Sequence, residues 1–170
     1  KDSTGICFIG ERPFPEFVSN YLTGNTGNVV NEKQEIIGSH PGLVFYTLGQ
    51  RQGLGIGGIR GASDLPWYVA KKNLSTNELV CVQGNDHPLL FSDELSTKNL
   101  FLLEESLPES FEGTAKVRYR QKDQECKINI RDDRMFVKFS TPQRSITPGQ
   151  SVVIYDGDRC LGGGEIDTIN

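Results

Sequence analysis

From residue 100 onward, six short apolar runs are separated by turn signals at close and even spacing, and few folds can bury a chain so divided. The runs are 100–103, 113–121, 124–131, 135–139, 151–155 and 161–169. Between them lie Lys122-Asp123, Asp132-Asp133, Thr147-Pro148-Gly149 and Asp156-Gly157-Asp158. Each run is too short to bury itself as a helix, and six such strands suggest a small closed barrel or a sandwich. Within the second and third runs the alternation is regular. Ala115, Val117 and Tyr119 alternate with Lys116, Arg118 and Arg120, and Cys126, Ile128 and Ile130 with Lys127, Asn129 and Arg131. Residues two apart on a strand share a face, so the pattern predicts one set inside the barrel and a basic stripe across neighbouring strands outside it.

The first half of the chain is different. Phe14, Phe17, Val18, Tyr21 and Leu22 recur at helical spacing, with Pro13 and Pro15 placed where a first turn tolerates them. Residues 28–30 and 35–38 read as one hairpin, and 67–70 with 79–82 as a second, about a polar turn at Ser75-Thr76-Asn77. Residues 42–49 suit a short helix or a buried strand equally, and the glycine-rich 53–66 reads as loop. A boundary is expected at 84–91. The expected fold class is therefore mainly β: a small central α+β domain at 16–84, then a six-stranded barrel at 92–170.

Net charge is −4, from 18 basic and 22 acidic residues, which on its own speaks against nucleic acid. The placement of charge says more. Residues 86–112 hold one basic and seven acidic groups, whereas residues 116–144 hold nine and four. Like charges side by side are destabilising, so a stripe of this kind points to an anionic partner. A solvated outer face balanced by Asp123, Glu125, Asp132 and Asp133 is the alternative.

Cys7, Cys81, Cys126 and Cys160 are far apart and form no CxxC pair, and the histidines are only His40 and His87, each beside a proline and read as turn residues. No metal site is expected, and such cysteines suit a reducing cytosol better than a disulfide scaffold. No run is long and apolar enough for a membrane. Cys7 stands in a glycine-bracketed run just ahead of the first helical stripe, where a helix N-terminus would favour a thiolate. By residue type alone, a small apolar core residue is the favoured reading. Gly53-Leu54-Gly55-Ile56-Gly57-Gly58 has the letters of a dinucleotide fingerprint, but residues 59–66 after it do not read as a helix, and a nucleotide site is rejected. There remains a flexible loop flanked by Arg51 and Arg60, suited to a phosphate backbone or another domain.

Several longer blocks together carry a resemblance. Asp2-Ser3-Thr4-Gly5-Ile6-Cys7-Phe8-Ile9-Gly10-Glu11-Arg12, Thr47-Leu48-Gly49-Gln50-Arg51 through Gly58, Trp67-Tyr68-Val69, Val117-Arg118-Tyr119-Arg120-Gln121, Thr147-Pro148-Gly149-Gln150 and Cys160-Leu161-Gly162-Gly163-Gly164 occur in that order. The chain resembles the C-terminal half of the tRNA-specific 2-thiouridylases over nearly its whole length. The resemblance implies an enzyme that places sulfur on C2 of the wobble uridine of the tRNAs for Lys, Glu and Gln. An N-terminal ATP-pyrophosphatase domain, using ATP with magnesium, would adenylate the uracil. One of two cysteines would carry a persulfide and the other resolve it or form a disulfide with it. Cys7 matches the second of these, and residues 1–15 then read as the tail of that N-terminal domain. The tRNA-contacting positions fall on Arg118, Tyr119 and Gln150, with Lys116, Arg120 and Arg51 as neighbouring basic or loop candidates. The barrel would resemble those of translation factors.

The family's phosphate-binding S-G-G-x-D-S-S and its first catalytic cysteine do not occur in these residues. The chain, which opens on Lys1, accordingly reads as a piece of something longer, cytoplasmic, with no cofactor of its own and inactive alone. It would supply tRNA docking and one reactive cysteine. A stand-alone RNA-binding barrel without chemistry, or a surface for another domain or a sulfur-carrier protein, are the competing readings.

Overall fold

The computed structural model describes residues 5–6, 10–11, 21–22, 24–57, 59, 63–104 and 107–170. They fall into two compact units, Lys1–Leu90 and Phe91–Asn170.

In the second unit the alternation does what it implies. Ala115, Val117, Cys126, Ile128, Met135, Val137, Val152, Ile154, Leu161 and Ile166 point into one shared core. Strands β7 (Phe91–Leu102), β8 (Ser110–Lys116), β9 (Gln124–Arg131), β10 (Arg134–Arg144), β11 (Ser151–Asp156) and β12 (Arg159–Ile169) pair antiparallel in the order β10-β7-β12-β11-β8-β9. The β9–β10 pairing closes the ring, so the six runs make a barrel and not a sandwich. Asp132 and Asp133, both at positive φ, turn the chain between β9 and β10 in two residues, as a mirror-image turn requires. Closure also needs close approach at β12. A Cβ on Gly162, where φ is +143°, would sit 2.3 Å from the Phe101 carbonyl oxygen, and one on Gly163 2.4 Å from that of Val152.

Two boundaries differ from the sequence reading. The first barrel strand begins at Phe91, not Leu100, so the acidic stretch is in good part the wall of the barrel. Its middle reads as polar, yet Ser96 and Thr97 are buried. They can be, because Ser96 Oγ shares a 2.7 Å hydrogen bond with Thr168 Oγ1, and Thr97 Oγ1 accepts the Met135 N–H at 3.0 Å. The second difference is that β8 stops at Lys116. Residues 117–123 are a bend and turn, which takes Arg118, Tyr119 and Arg120 off the strand.

The first unit is a four-stranded sheet in the order β4-β3-β6-β5, from β3 (Gly27–Val30), β4 (Ile36–His40), β5 (Trp67–Asn73) and β6 (Glu78–Gln83). Both predicted hairpins form, and β3 and β6 join them in parallel. The segment crossing from β4 to β5 contributes Leu43, Tyr46 and Leu54, which pack with Val29, Val69, Leu79 and Cys81 on one face. Of the two alternatives left open for this stretch a short helix forms, a 3₁₀ helix of three residues at Leu43–Phe45. Gly49 N–H bonds the Val69 carbonyl at 2.8 Å and Val69 N–H the Gln50 carbonyl at 3.0 Å, which covers the outer edge of β5. His40 is not a turn residue: it ends β4, buried, with Nε2 3.1 Å from the Asn77 carbonyl oxygen. His87 does lie in a turn, accepting the Leu89 N–H at Nδ1.

Residues 14–20 of the expected helix lie outside the described residues, and Tyr21 and Leu22, at its end, are exposed. Gly5–Ile6 (β1) and Gly10–Glu11 (β2) pair antiparallel. Among the described residues no helix is long and apolar enough to cross a membrane.

Candidate nucleic-acid interface

Barrel topology decides which loops can act together. β8 ends, β9 begins, β10 ends and β11 begins at one rim, so the 117–123 and 145–150 connections leave the barrel side by side. Arg118 ties them, its Nη2 donating to the Ser145 carbonyl oxygen at 3.4 Å. Ser145 presents that carbonyl from the left-handed region, φ 54°, and the Thr147 hydroxyl donates to the same oxygen at 3.0 Å. Gln150 follows, its backbone held by Thr147 and Ile166 and its side chain exposed.

Tyr119, expected inside by alternation, is instead 96% exposed. Val117, the last inward residue, fills the barrel mouth, and the chain then leaves the pleat, so the period of two no longer governs residues 118–123. A fully exposed aromatic flanked by Arg118, Arg120 and Lys122, all exposed, offers a stacking plane among cations. Those are the two elements with which proteins hold unpaired bases and phosphates.

The basic stripe predicted across β8 and β9 is not present. Lys116 pairs with Asp123 at 3.0 Å and lies 5.2 Å from the centre of the Tyr155 ring. The Asp123 hydrogen bond holds its ammonium above the usual lysine range. Lys127 stands opposite Glu112 on β8 and Lys138 on β10, and Lys138 bonds Glu94 at 2.6 Å. Arg134 pairs with Asp167, and Arg131 stacks on Phe136, 4.5 Å from the ring centre. Lys116, Lys138 and Arg134 are thus paired with acidic neighbours, whereas Arg118, Arg120 and Lys122 stand together toward solvent at the rim.

Among the cysteines, Cys81 and Cys126 are buried, and burial pushes their thiols up to about 12 and about 11. Neither is a thiolate at neutral pH. Cys160 is half-buried and free. Cys7 lies outside the described residues. Arg51 is exposed on the first unit, at a groove with Leu54, Ile56, Trp67 and Gln83. Among the described residues of the surrounding glycine-rich segment none is helical, and Leu54 is buried in the core. Among the described residues no group of His, Cys, Asp and Glu is arranged to hold a metal ion.

Sequence reasoning missed Lys122 and three glutamines, Gln121, Gln124 and Gln143, that brace the rim. No local signal marks Gln143, which is buried far along β10.

Two family models match. Residues 15–83 match one described as a tRNA methyl transferase PRC-barrel domain, and residues 92–166 one described as an aminomethyltransferase β-barrel domain. Whole-chain relatives are named tRNA-specific 2-thiouridylase. The one from Hahella chejuensis is 54% identical over 99% of this chain and 47% of its own length. That of Francisella philomiragia is 54% identical over 98% and 47%, and that of Pseudomonas fluorescens 52% over 98% and 45%. The chain spans about half the length of the curated relatives it matches.

Proposed function

Since the chain belongs to the tRNA-specific 2-thiouridylase family, we propose that it works as the tRNA-docking part of such an enzyme, with Cys7 as one of its two sulfur-handling thiols. The observation that carries the docking role is the rim: Arg118 joins two loops beneath an almost fully exposed Tyr119, with Arg120, Lys122 and Gln150 beside them. Phosphates would be met by the guanidinium and ammonium groups, and an unpaired base by the Tyr119 ring and the Gln150 amide. Lys116, held by Asp123, adds field more than contact, and Arg51 would supply a separate phosphate contact from the first unit.

For the chemistry, ATP with magnesium would be bound by parts of the enzyme beyond these residues, where the uracil of the tRNAs for Lys, Glu and Gln is activated. A carrier protein would deliver sulfur. Cys7 would bear the persulfide or resolve it. High thiol pKa values at Cys81 and Cys126 support leaving those two out. By itself the chain would bind tRNA without modifying it.

The test has two arms. In a whole enzyme carrying this sequence, Cys7→Ser should abolish thiolation while tRNA binding persists; continued turnover overturns the Cys7 role. In the 170-residue chain, Arg118→Glu should weaken tRNA binding at least tenfold and flatten its salt dependence at an unchanged melting temperature. Binding indifferent to both salt and the reversal overturns the docking role.

A further inference from the structure

We propose that Gln143 is a positioning residue for tRNA: it anchors a relay of three side-chain amides that holds the Arg118–Arg120 turn in its binding shape. The inference rests on the docking role of the rim and goes beyond it, because none of the three glutamines faces the RNA surface as a contact.

The relay is continuous. Gln121 closes the turn on itself, its own N–H reaching the Arg118 carbonyl at 3.1 Å and its Oε1 accepting the Val117 N–H at 3.0 Å. Gln121 Nε2 then donates to Gln143 Oε1 at 2.6 Å. Gln143 Nε2 donates to Gln124 Oε1 at 3.0 Å and to the Thr141 carbonyl at 2.6 Å. Gln124 Nε2 finishes on the Lys122 carbonyl at 2.9 Å. The amide orientations are not free choices. Val117 N–H can only donate and the carbonyls of Lys122 and Thr141 can only accept, so the backbone fixes the direction of every amide between them. Gln143, 6% exposed, is the one fully enclosed member, and both of its amide hydrogens and its oxygen are used.

The chemistry of the relay suits this task. The turn projects three cations and a bare aromatic into solvent, an arrangement that repels itself and has no core of its own. A carboxylate brace would hold the loop equally well but would draw the guanidinium groups inward and compete with phosphate. Neutral amides brace the backbone and leave the arginine charges to the ligand. Because no member titrates, the brace is also indifferent to pH and little screened by salt.

The experiment measures fluorescence anisotropy of an in vitro transcribed tRNA with uridine at the wobble position, titrated with the 170-residue chain over a salt series. Four proteins are compared: the parent, Gln143→Leu, Arg118→Ala, and the double variant. The expected result is that Gln143→Leu loses about tenfold in affinity and the salt slope falls as it does for Arg118→Ala. The double variant should be within about twofold of the weaker single, because a displaced loop has already lost the Arg118 contact. Additive losses, or parent-like binding by Gln143→Leu, overturn the relay. If Arg118→Ala alone has no effect, the docking role itself falls and the relay with it, whereas an effective Arg118→Ala with an additive Gln143→Leu removes only the relay. Should Gln143→Leu not fold, Gln121→Glu is read by the same criteria; it keeps an acceptor for Val117 N–H and sets a carboxylate oxygen against Gln143 Oε1.

Discussion

At the scale of single residues, the cysteines separate by surroundings and not by type. Cys81 and Cys126 are walled by apolar side chains that disfavour their thiolates. In the folded chain at neutral pH, iodoacetamide followed by peptide mass mapping should therefore leave both unlabelled until denaturant is added; fast labelling of either in the native state would contradict the burial. Their core role was legible from apolar neighbours at a spacing of two. The role proposed for Cys7 rests on its motif alone, because the same letters suit a core residue. Tyr119 marks the limit of that kind of reasoning. Alternation places it inside, but the pleat ends at Lys116, and nothing in Val117-Arg118-Tyr119 announces the end. What decides it is a long-range bond, Gln121 to Gln143, which local pattern does not carry.

Among the elements, five of the six barrel strands were readable because their apolar residues alternate between sharp turns. The missing length of β7 was not, because Ser96 and Thr97 are buried by means of hydrogen bonds to Thr168 and Met135, and burial of that kind leaves a polar sequence. The basic stripe failed because of where a strand ends. β8 ends at Lys116, which takes Arg118 and Arg120 off the strand, and Lys116 itself pairs with Asp123 across the turn. β12 offers the most direct test of the wall. Gly163→Ala puts a methyl group 2.4 Å from the Val152 carbonyl oxygen, a contact that only backbone movement relieves. The expected cost is about 2–4 kcal/mol in urea unfolding. By contrast Gly157→Ala, with open space around it, meets only the strain of its φ of 55° and should cost about 1 kcal/mol. Equal costs would remove the argument from crowding.

Across the whole molecule, the two units answer to the same alkaline limit through one thiol each. Between pH 9.0 and about 12, a thiol raised as Cys81 is keeps its proton in the folded state and loses it in the unfolded one. Above pH 9 the unfolded chain gains the ionised form and the folded chain does not, so stability contributed by Cys81 in the first unit and Cys126 in the second is complete below pH 9 and falls beyond it. The raised ammonium groups of Lys116 and Lys138 weaken in the same direction at still higher pH. At the acid end, Lys98 and Asn99 hold the Glu165 carboxyl low, a contribution present above pH 4.5 and lost as it protonates. Melting temperature measured from pH 7 to pH 11 should decline beyond pH 9, and Cys81→Val should make the decline shallower. An unchanged slope would show that the thiol takes no part.

The barrel's ring of hydrogen bonds returns on itself at β9 and β10, and that closure separates two kinds of inheritance within one chain. Wall positions answer to one another around a circumference, so a change at one strand is felt at its neighbours. The rim is tied to that wall at few points, among them Gln124 and Gln143, and its outward side chains answer to no neighbouring strand. On the docking role proposed for the rim, the exposed residues 118–120, 122 and 148–150 can be rewritten for a different RNA while the strands and the bracing glutamines are kept, which makes the shape of the barrel the fixed part and its recognition the movable one.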